Sequence, residues 1–192
     1  MLPLLLASSS VYRRELLARL RLPFVCSSPD IDESHRPGEP ALELVKRLAR
    51  EKALALAGNH PAHLIIGSDQ VAVLGERILG KPHTFENARE QLLAASGARV
   101  TFLTGLALLN SHTGTCQVDC IPFTVNMRVL DPERIERYLR AEQPYDCAGS
   151  FKAEGLGVSL FQSTDGPDAT SLIGLPLIRL VDMLLVEGVQ IP

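Results

Sequence analysis

An apolar run with an acid inside it constrains this chain more than any other feature. Ile65-Ile66-Gly67-Ser68-Asp69-Gln70-Val71 climbs as a buried strand would and presents a carboxylate beside an amide. It turns apolar again at Val71-Ala72-Val73-Leu74. Aspartate favours turns and is depleted in strands, so Asp69 needs a physical reason to stand there. One reading is a bulge or strand end whose carboxylate is tied up by backbone N–H groups. The other is a functional carboxylate. The rest of the chain supplies a phosphate-shaped loop, two placed lysines and a second acidic cluster.

A chain of 192 residues, 46% hydrophobic and 21% charged, fits one globular domain over residues 1–192 with a real core. A net charge of -3 argues against a sequence-blind nucleic-acid binder, which needs a basic excess to neutralise phosphates. A small anionic ligand needs only a local basic pocket and stays allowed. The opening Met1-Leu2-Pro3-Leu4-Leu5-Leu6-Ala7 has no basic flank and too short an apolar run for a signal segment, so it reads as a first strand. No later segment is apolar over the length of a membrane span. The four cysteines, Cys26, Cys116, Cys120 and Cys147, form no C-x-x-C pair. Reduced thiols and a cytoplasmic location are the expectation.

In chain order, Leu4-Leu5-Leu6 leads through Ser8-Ser9-Ser10 into a helix from Tyr12 to Leu20 with leucines at helical spacing. Strand, hydroxyl-rich turn and a helix start carrying arginines is an anion-binding arrangement, in which Arg13 or Arg14 adds a bidentate grip. Three serines are also a plain N-cap. Cations at a helix start are unfavourable unless an anion sits there. Phe24-Val25-Cys26 reads as a second strand. The loop Pro29-Asp30-Ile31-Asp32-Glu33 holds acids that either solvate freely or offer oxygen ligands to a divalent cation, without EF-hand spacing.

A helix from Pro40 to about Leu56 carries the apolar stripe Ala41, Val45, Leu48, Ala49, Ala53, Leu56, with Lys52 on the same stripe. Such a lysine either snorkels to an edge or reaches a buried anion. The acid-bearing strand spans His63 to Leu74, and Gly75-Glu76 turns it back into Ile78-Leu79-Gly80-Lys81-Pro82, which brings Lys81 toward the Asp69 region if the two strands pair. Thr84 caps a helix through Leu93. Arg99 to Leu109 and Val118 to Val129 read as a hairpin about a polar turn. Asp131-Pro132-Glu133 starts a helix to Ala141. A small-residue segment from Cys147 to Gly157 precedes a predicted strand Val158 to Phe161, and Thr164-Asp165-Gly166-Pro167-Asp168 reads as a surface loop. The closing helix, to about Glu187, is predicted to bury Ile178, Val181, Leu184 and Leu185. There is no repeat, linker, Walker-type loop or G-x-G-x-x-G, and the scattered histidines make a metal pair improbable.

Five segments then fall into one pattern: Ala7-Ser8-Ser9-Ser10-Val11-Tyr12-Arg13-Arg14-Glu15-Leu16-Leu17, Arg47-Leu48-Ala49-Arg50-Glu51-Lys52-Ala53, Gly67-Ser68-Asp69-Gln70, Gly80-Lys81-Pro82 and Ile173-Gly174-Leu175-Pro176-Leu177. In this order, over almost the whole chain, they resemble the Maf family of nucleoside triphosphate pyrophosphatases. The resemblance implies an elongated α/β fold, a mixed sheet flanked by helices, with two lobes and a site in the cleft between them. It implies cleavage between the α and β phosphates of a nucleotide with a divalent cation, Mg or Mn. Position by position it makes Asp69 the proton acceptor or a metal ligand, with Glu33 beside it toward the metal. Lys52 and Lys81 become catalytic cations, and Ser8, Ser10 and Arg13 phosphate contacts. The departure is Val11, where the family usually has proline, which only preorganises the turn.

The segments around Cys147 to Gly155 and Leu64 to Gln70 resemble the branch of the family that hydrolyses 7-methyl-GTP. There Tyr12, Gln70 and Glu154 match positions tied to base choice, with tyrosine where the branch usually has tryptophan. Methylation at N7 makes guanine cationic, which raises the value of an aromatic face and of the Glu154 carboxylate. A pyrimidine would leave that carboxylate poorly paired. Two other readings stay open: an enzyme preferring dTTP or UTP, and a nucleotide-binding regulator of septum formation with little turnover. The expected partner is a small nucleotide rather than a nucleic-acid polymer or a membrane, and the chain allows a homodimer. A role in clearing modified nucleotides is implied by the resemblance alone.

Overall fold

The computed structural model describes residues 2–191. Its strands are β1 (Leu4–Ala7), β2 (Phe24–Ser27), β3 (Leu64–Leu74), β4 (Arg77–Leu79), β5 (Arg99–Asn110), β6 (Cys116–Met127) and β7 (Phe161–Asp165). Its helices are α1 (Val11–Ala18), α2 (Ala41–Ala57), α3 (Phe85–Ala95), α4 (Pro132–Glu142), α5 (Ala169–Ile173) and α6 (Leu177–Val186). The strands form one seven-stranded mixed sheet in the order β2-β1-β3-β5-β6-β7, with β4 paired to β3. β1 runs parallel to both β2 and β3, whereas the β3–β4 and β6–β7 pairs are antiparallel. The predicted mixed α/β class is the one observed.

Contacts group the chain into two compact units. The first comprises residues 1–69, 104–121 and 168–192. Here the two-residue alternation of strands sorts the core into two layers. Leu4, Leu6, Leu64, Ile66, Leu106 and Leu108 pack with Leu16 and Leu17 of α1 and with Leu177, Leu180, Met183 and Leu184 of α6. Leu5, Ala7, Ile65 and Leu109 face the other way, onto Ala53 and Leu56 of α2. The unit is therefore an α/β/α sandwich, as parallel strands with both faces covered require. Helix α2 buries Leu44, Val45, Leu48, Ala49, Lys52, Ala53 and Leu56, the stripe expected from its sequence except that Leu44 joins it and Ala41, at the first turn, is only half-buried.

The second unit comprises residues 70–103 and 122–167. Thr84 caps α3 and Asp131 caps α4, whose side chains accept from the N–H groups of Asn87 and Arg134. Phe102, Phe151 and Phe161 stack edge to face, with centroids 5.2 and 4.9 Å apart, within the favourable range for such rings.

Three predictions are corrected. The strand expected from Val158 to Phe161 is a 3-10 turn over Leu156–Leu160, and β7 begins only at Phe161. The apolar residues Val158 and Leu160 are two apart, which a strand and a short turn accommodate equally, and Gly155 and Gly157 favour the turn. The expected surface loop at 164–168 is in part strand, and Asp168 is buried as the N-cap of α5, a helix the sequence reading missed. In α6 the buried face is Leu177, Leu180, Met183 and Leu184, while Ile178 and Leu185 are exposed. Both stripes have helical spacing in a helix this apolar, and the start after Pro176 decides which one turns inward.

Candidate active site

Two glycines bring the central helix against the sheet. A Cβ at Gly67 of β3 would collide with the Ala49 carbonyl of α2, and one at Gly105 of β5 with the Val45 carbonyl. Only glycine permits backbones that close. Alternation along β3 sends Gly67 and Asp69 to the α2 face and Ser68 to the opposite one. One helical step beyond Ala49 stands Lys52. Strand and helix thus deliver a carboxylate and an ammonium to the same spot, and Lys52 Nζ donates to Asp69 Oδ1 at 2.7 Å. Both residues are buried, at 6% and 8% exposure.

Glu33 completes the pair from an exposed loop, with its Oε2 3.1 Å from the same Lys52 nitrogen. Of the two open readings, Lys52 does not snorkel: it holds a buried carboxylate and an exposed one. Asp69 lies within β3, three residues past its last pairing with β1 at Leu6↔Ile66, and its carboxylate is engaged by the lysine.

The serine turn follows β1 directly. Ser8 is buried and its hydroxyl accepts from the Ser10 N–H at 3.1 Å. Ser10 is the N-cap of α1, accepting from the Arg13 N–H at 3.4 Å, so the plain capping role read from the sequence is present. Tyr12 is half-buried. Arg13 turns back, and its Nε donates to the Gly174 carbonyl at 2.9 Å. Burial lowers the Arg13 guanidinium from its ordinary pKa, while the charges of Asp69 and Glu33 oppose that shift. Arg13 therefore stands in the field of the same two carboxylates that Lys52 touches.

Behind this cluster lies a polar network the sequence reading missed. The Ser68 hydroxyl sits between the carbonyls of Gly105 (2.8 Å) and Gly174 (3.0 Å) and is fully buried. The Thr104 hydroxyl donates to the Ser171 carbonyl at 2.9 Å, and Ser171 donates to the Asp168 carbonyl at 2.6 Å. The Asp168 carboxylate accepts from the Thr170 N–H at 2.8 Å and hydroxyl at 2.6 Å, and from the Ile178 N–H at 2.9 Å. It ties the start of α5 to the start of α6 and so fixes the Gly174 corner to which Arg13 is anchored. Buried hydroxyls on β3 and β5 were the available signal, since such groups require partners. Asp168 gave none, being written in turn residues.

Gln70, Lys81 and Glu154 belong to the second unit. Gln70 is half-buried on β3, whereas Lys81 and Glu154 are exposed. The turn that carries Glu154 is held from α4: the Tyr138 hydroxyl accepts from the Lys152 N–H at 3.0 Å, and Glu142 accepts from the Leu156 N–H at 2.6 Å.

Among the described residues no group of three or more His, Cys, Asp or Glu side chains is placed to hold a metal by itself. Two carboxylates converging on one cationic nitrogen are nonetheless the hard oxygen donors that Mg uses, since it commonly takes one or two carboxylates together with substrate phosphates and water. Asp69 and Glu33 fit such an ion.

A model of the family described as Maf-like protein matches residues 3–186. The chain is 88% identical, over 100% of both chains, to a protein of Pseudomonas fluorescens (strain Pf0-1) named 7-methyl-GTP pyrophosphatase. It is 72% identical to one of that name in Pseudomonas aeruginosa (strain PAO1), over 98% of each chain. A third so named, from Alcanivorax borkumensis, is 60% identical over 98% of this chain and 96% of its own. Among solved structures, a HAM1 protein from Coxiella burnetii superposes with a TM-score of 0.52 at 15% identity, covering 97% of this chain and 100% of that one. At that identity the likeness concerns the fold.

Proposed function

This chain belongs to the Maf family, and from that membership we propose that it hydrolyses 7-methyl-GTP between the α and β phosphates, giving 7-methyl-GMP and pyrophosphate. The observation that carries the chemistry is the Lys52 ammonium set between Asp69 at 2.7 Å and Glu33 at 3.1 Å. A bare carboxylate buried in a strand is costly, and a lysine shared between it and an exposed acid is a charge arrangement that substrate can rearrange. The full-length relatives named 7-methyl-GTP pyrophosphatase support the choice of base.

In the proposed reaction Asp69 accepts the proton of the water that attacks the α-phosphorus. Lys52, Arg13 and Lys81 stabilise the negative charge that gathers on the departing pyrophosphate, and the Ser8 to Ser10 turn orients the phosphates. Glu33, joined by Asp69 where that carboxylate serves as ligand rather than base, would hold a divalent ion, Mg or Mn, which would polarise phosphate oxygens and lower the pKa of bound water. Tyr12, Gln70 and Glu154 would read the base, with the tyrosine ring and the carboxylate favouring the cationic methylguanine. Among the described residues no helix is long and apolar enough to cross a membrane.

The test is pyrophosphate release, with Mg, from 7-methyl-GTP, GTP, dTTP, UTP and CTP at equal concentration. Preference for 7-methyl-GTP is the expected result. Preference for a pyrimidine would overturn the base assignment and keep the chemistry, and tight binding with no release would replace hydrolysis by a binding role.

A further inference from the structure

Glu33 reaches Lys52 from a side chain that is 57% exposed. No core packing holds it, so its position depends on how the loop backbone around it is fastened. That loop is folded rather than loose. The Asp32 carboxylate accepts from the Ser34 N–H at 2.9 Å. Pro37 and Gly38 occupy the centre of a turn closed by the Glu39 N–H donating to the Arg36 carbonyl at 3.1 Å, with Gly38 at φ 73°, the glycine-demanding third position of a type II turn. A ring nitrogen of His35 lies 2.6 Å from the Glu39 carbonyl oxygen.

What fastens this loop to α2 is chiefly one arginine, beside a single bond from the exposed Arg36, whose Nη2 donates to Glu51 at 3.1 Å. Arg47 Nε and Nη2 donate to the two oxygens of Glu39 at 2.6 and 2.8 Å. Its Nη1 donates to Glu51 at 3.1 Å, one helical turn along, and Nη2 also donates to the Ser34 carbonyl at 3.1 Å. Ser34 is the residue after Glu33. A side chain only 13% exposed, beside a loop that is otherwise mostly exposed, spends its planar fork on two acids and a main-chain carbonyl.

We propose that Arg47 is a positioning residue of the site: it pins the 32–39 loop to α2 and thereby sets Glu33 against Lys52. The inference rests on the activity proposed above for its kinetic consequence and on geometry alone for the clamp. It acts through Glu33, so removing it matters only while Glu33 is present.

The experiment pairs hydrogen exchange of the 32–39 amides with a double-mutant cycle on kcat/KM for 7-methyl-GTP. In Arg47→Met and, from the loop side, in Glu39→Gln, the 32–39 amides exchange faster while those of β1 and β3 do not change. Arg47→Met lowers kcat/KM about tenfold, yet in a Glu33→Gln background it costs less than about twofold, the non-additivity of residues that act through one another. Lysine restores the charge without the fork, so Arg47→Lys behaves like Arg47→Met. Unchanged exchange at 32–39 in both variants overturns the clamp, and equal losses in the presence and absence of Glu33 overturn its route through Glu33. A wild-type chain without turnover on any nucleotide sinks the proposed activity instead, and the clamp then stands or falls on the exchange measurement.

Discussion

Asp69 and Lys52 depend on each other more than their separate roles suggest. Asn at position 69 keeps an oxygen for the Lys52 ammonium, and Glu33 at 3.1 Å retains the lysine's other contact. Asp69→Asn is therefore expected to keep the fold and lose turnover by a factor on the order of 10² to 10⁴, the usual worth of a positioned general base, as read by pyrophosphate release beside a thermal melt. Lys52→Met is the harsher change for stability. It strips the 2.7 Å donor from a carboxylate that is 8% exposed. With Arg13 still in electrostatic reach, the expected loss is about 3 kcal/mol, the low end for one partner removed from a buried pair, measured by urea unfolding. Lys52 was legible because a lysine on an apolar stripe contradicts its surroundings. Ser68 was not, because its partners Gly105 and Gly174 lie 37 and 106 residues away in sequence, and no local pattern records a contact of that span.

Elements explain why the pair meets at all. The spacing of α2 was readable, with most of the face it would bury, and β3 was readable as a buried run. How closely the two backbones approach was not readable, since a glycine in a strand fits a bulge, a bend or a close contact equally. Gly67→Ala forces a methyl group into the Ala49 carbonyl, and the expected cost is about 3 kcal/mol, the upper end of common overpacking penalties. A urea titration should show that loss together with impaired turnover, although position 67 touches no substrate. The loop clamp makes a different prediction. The Arg47 hydrogen bond, against some opposing burial and with help from the Arg36 N–H, holds the Glu39 carboxyl down at about 2 from an ordinary 4.5. A depressed carboxyl stabilises the fold fully above its unfolded value and loses that contribution as pH falls through the folded one. The stability difference between wild type and Glu39→Gln should accordingly shrink as pH drops from 4.5 toward 2, followed by urea midpoints across that range. The closing helix shows the limit of periodicity: when two stripes of one helix are both apolar, only the preceding Pro176 and the sheet beneath choose between them.

At the scale of the molecule, thiol chemistry gives a simple check on the native state. All four cysteines are free, and Cys26 alone of them is exposed, on β2. Burial raises the Cys116 thiol. Burial first, then the neighbouring Asp119 charge, pushes Cys120 up to about 11, and burial with Asp146 pushes Cys147 up to about 12. Alkylation near neutral pH should add one group first, at Cys26, and the three half-buried thiols more slowly, with all four reacting at once on unfolding, as intact mass would show. The mixed α/β class and the order of nearly every element were legible because strand and helix periods differ and turn residues separate them. The 3-10 turn at 156–160 and the short α5 escaped because neither is long enough to show a period. The two glycines under α2 carry a last consequence, for how mutational tolerance is interpreted in a chain like this one. In a saturation screen for activity, positions 67 and 105 should reject every side chain as firmly as position 69 rejects every non-acid, yet they take no part in chemistry. Intolerance would then mark the hinge-pins of the architecture as strongly as its reagents, and only a screen that scores folding and turnover separately would tell a spacer made of hydrogen from a base.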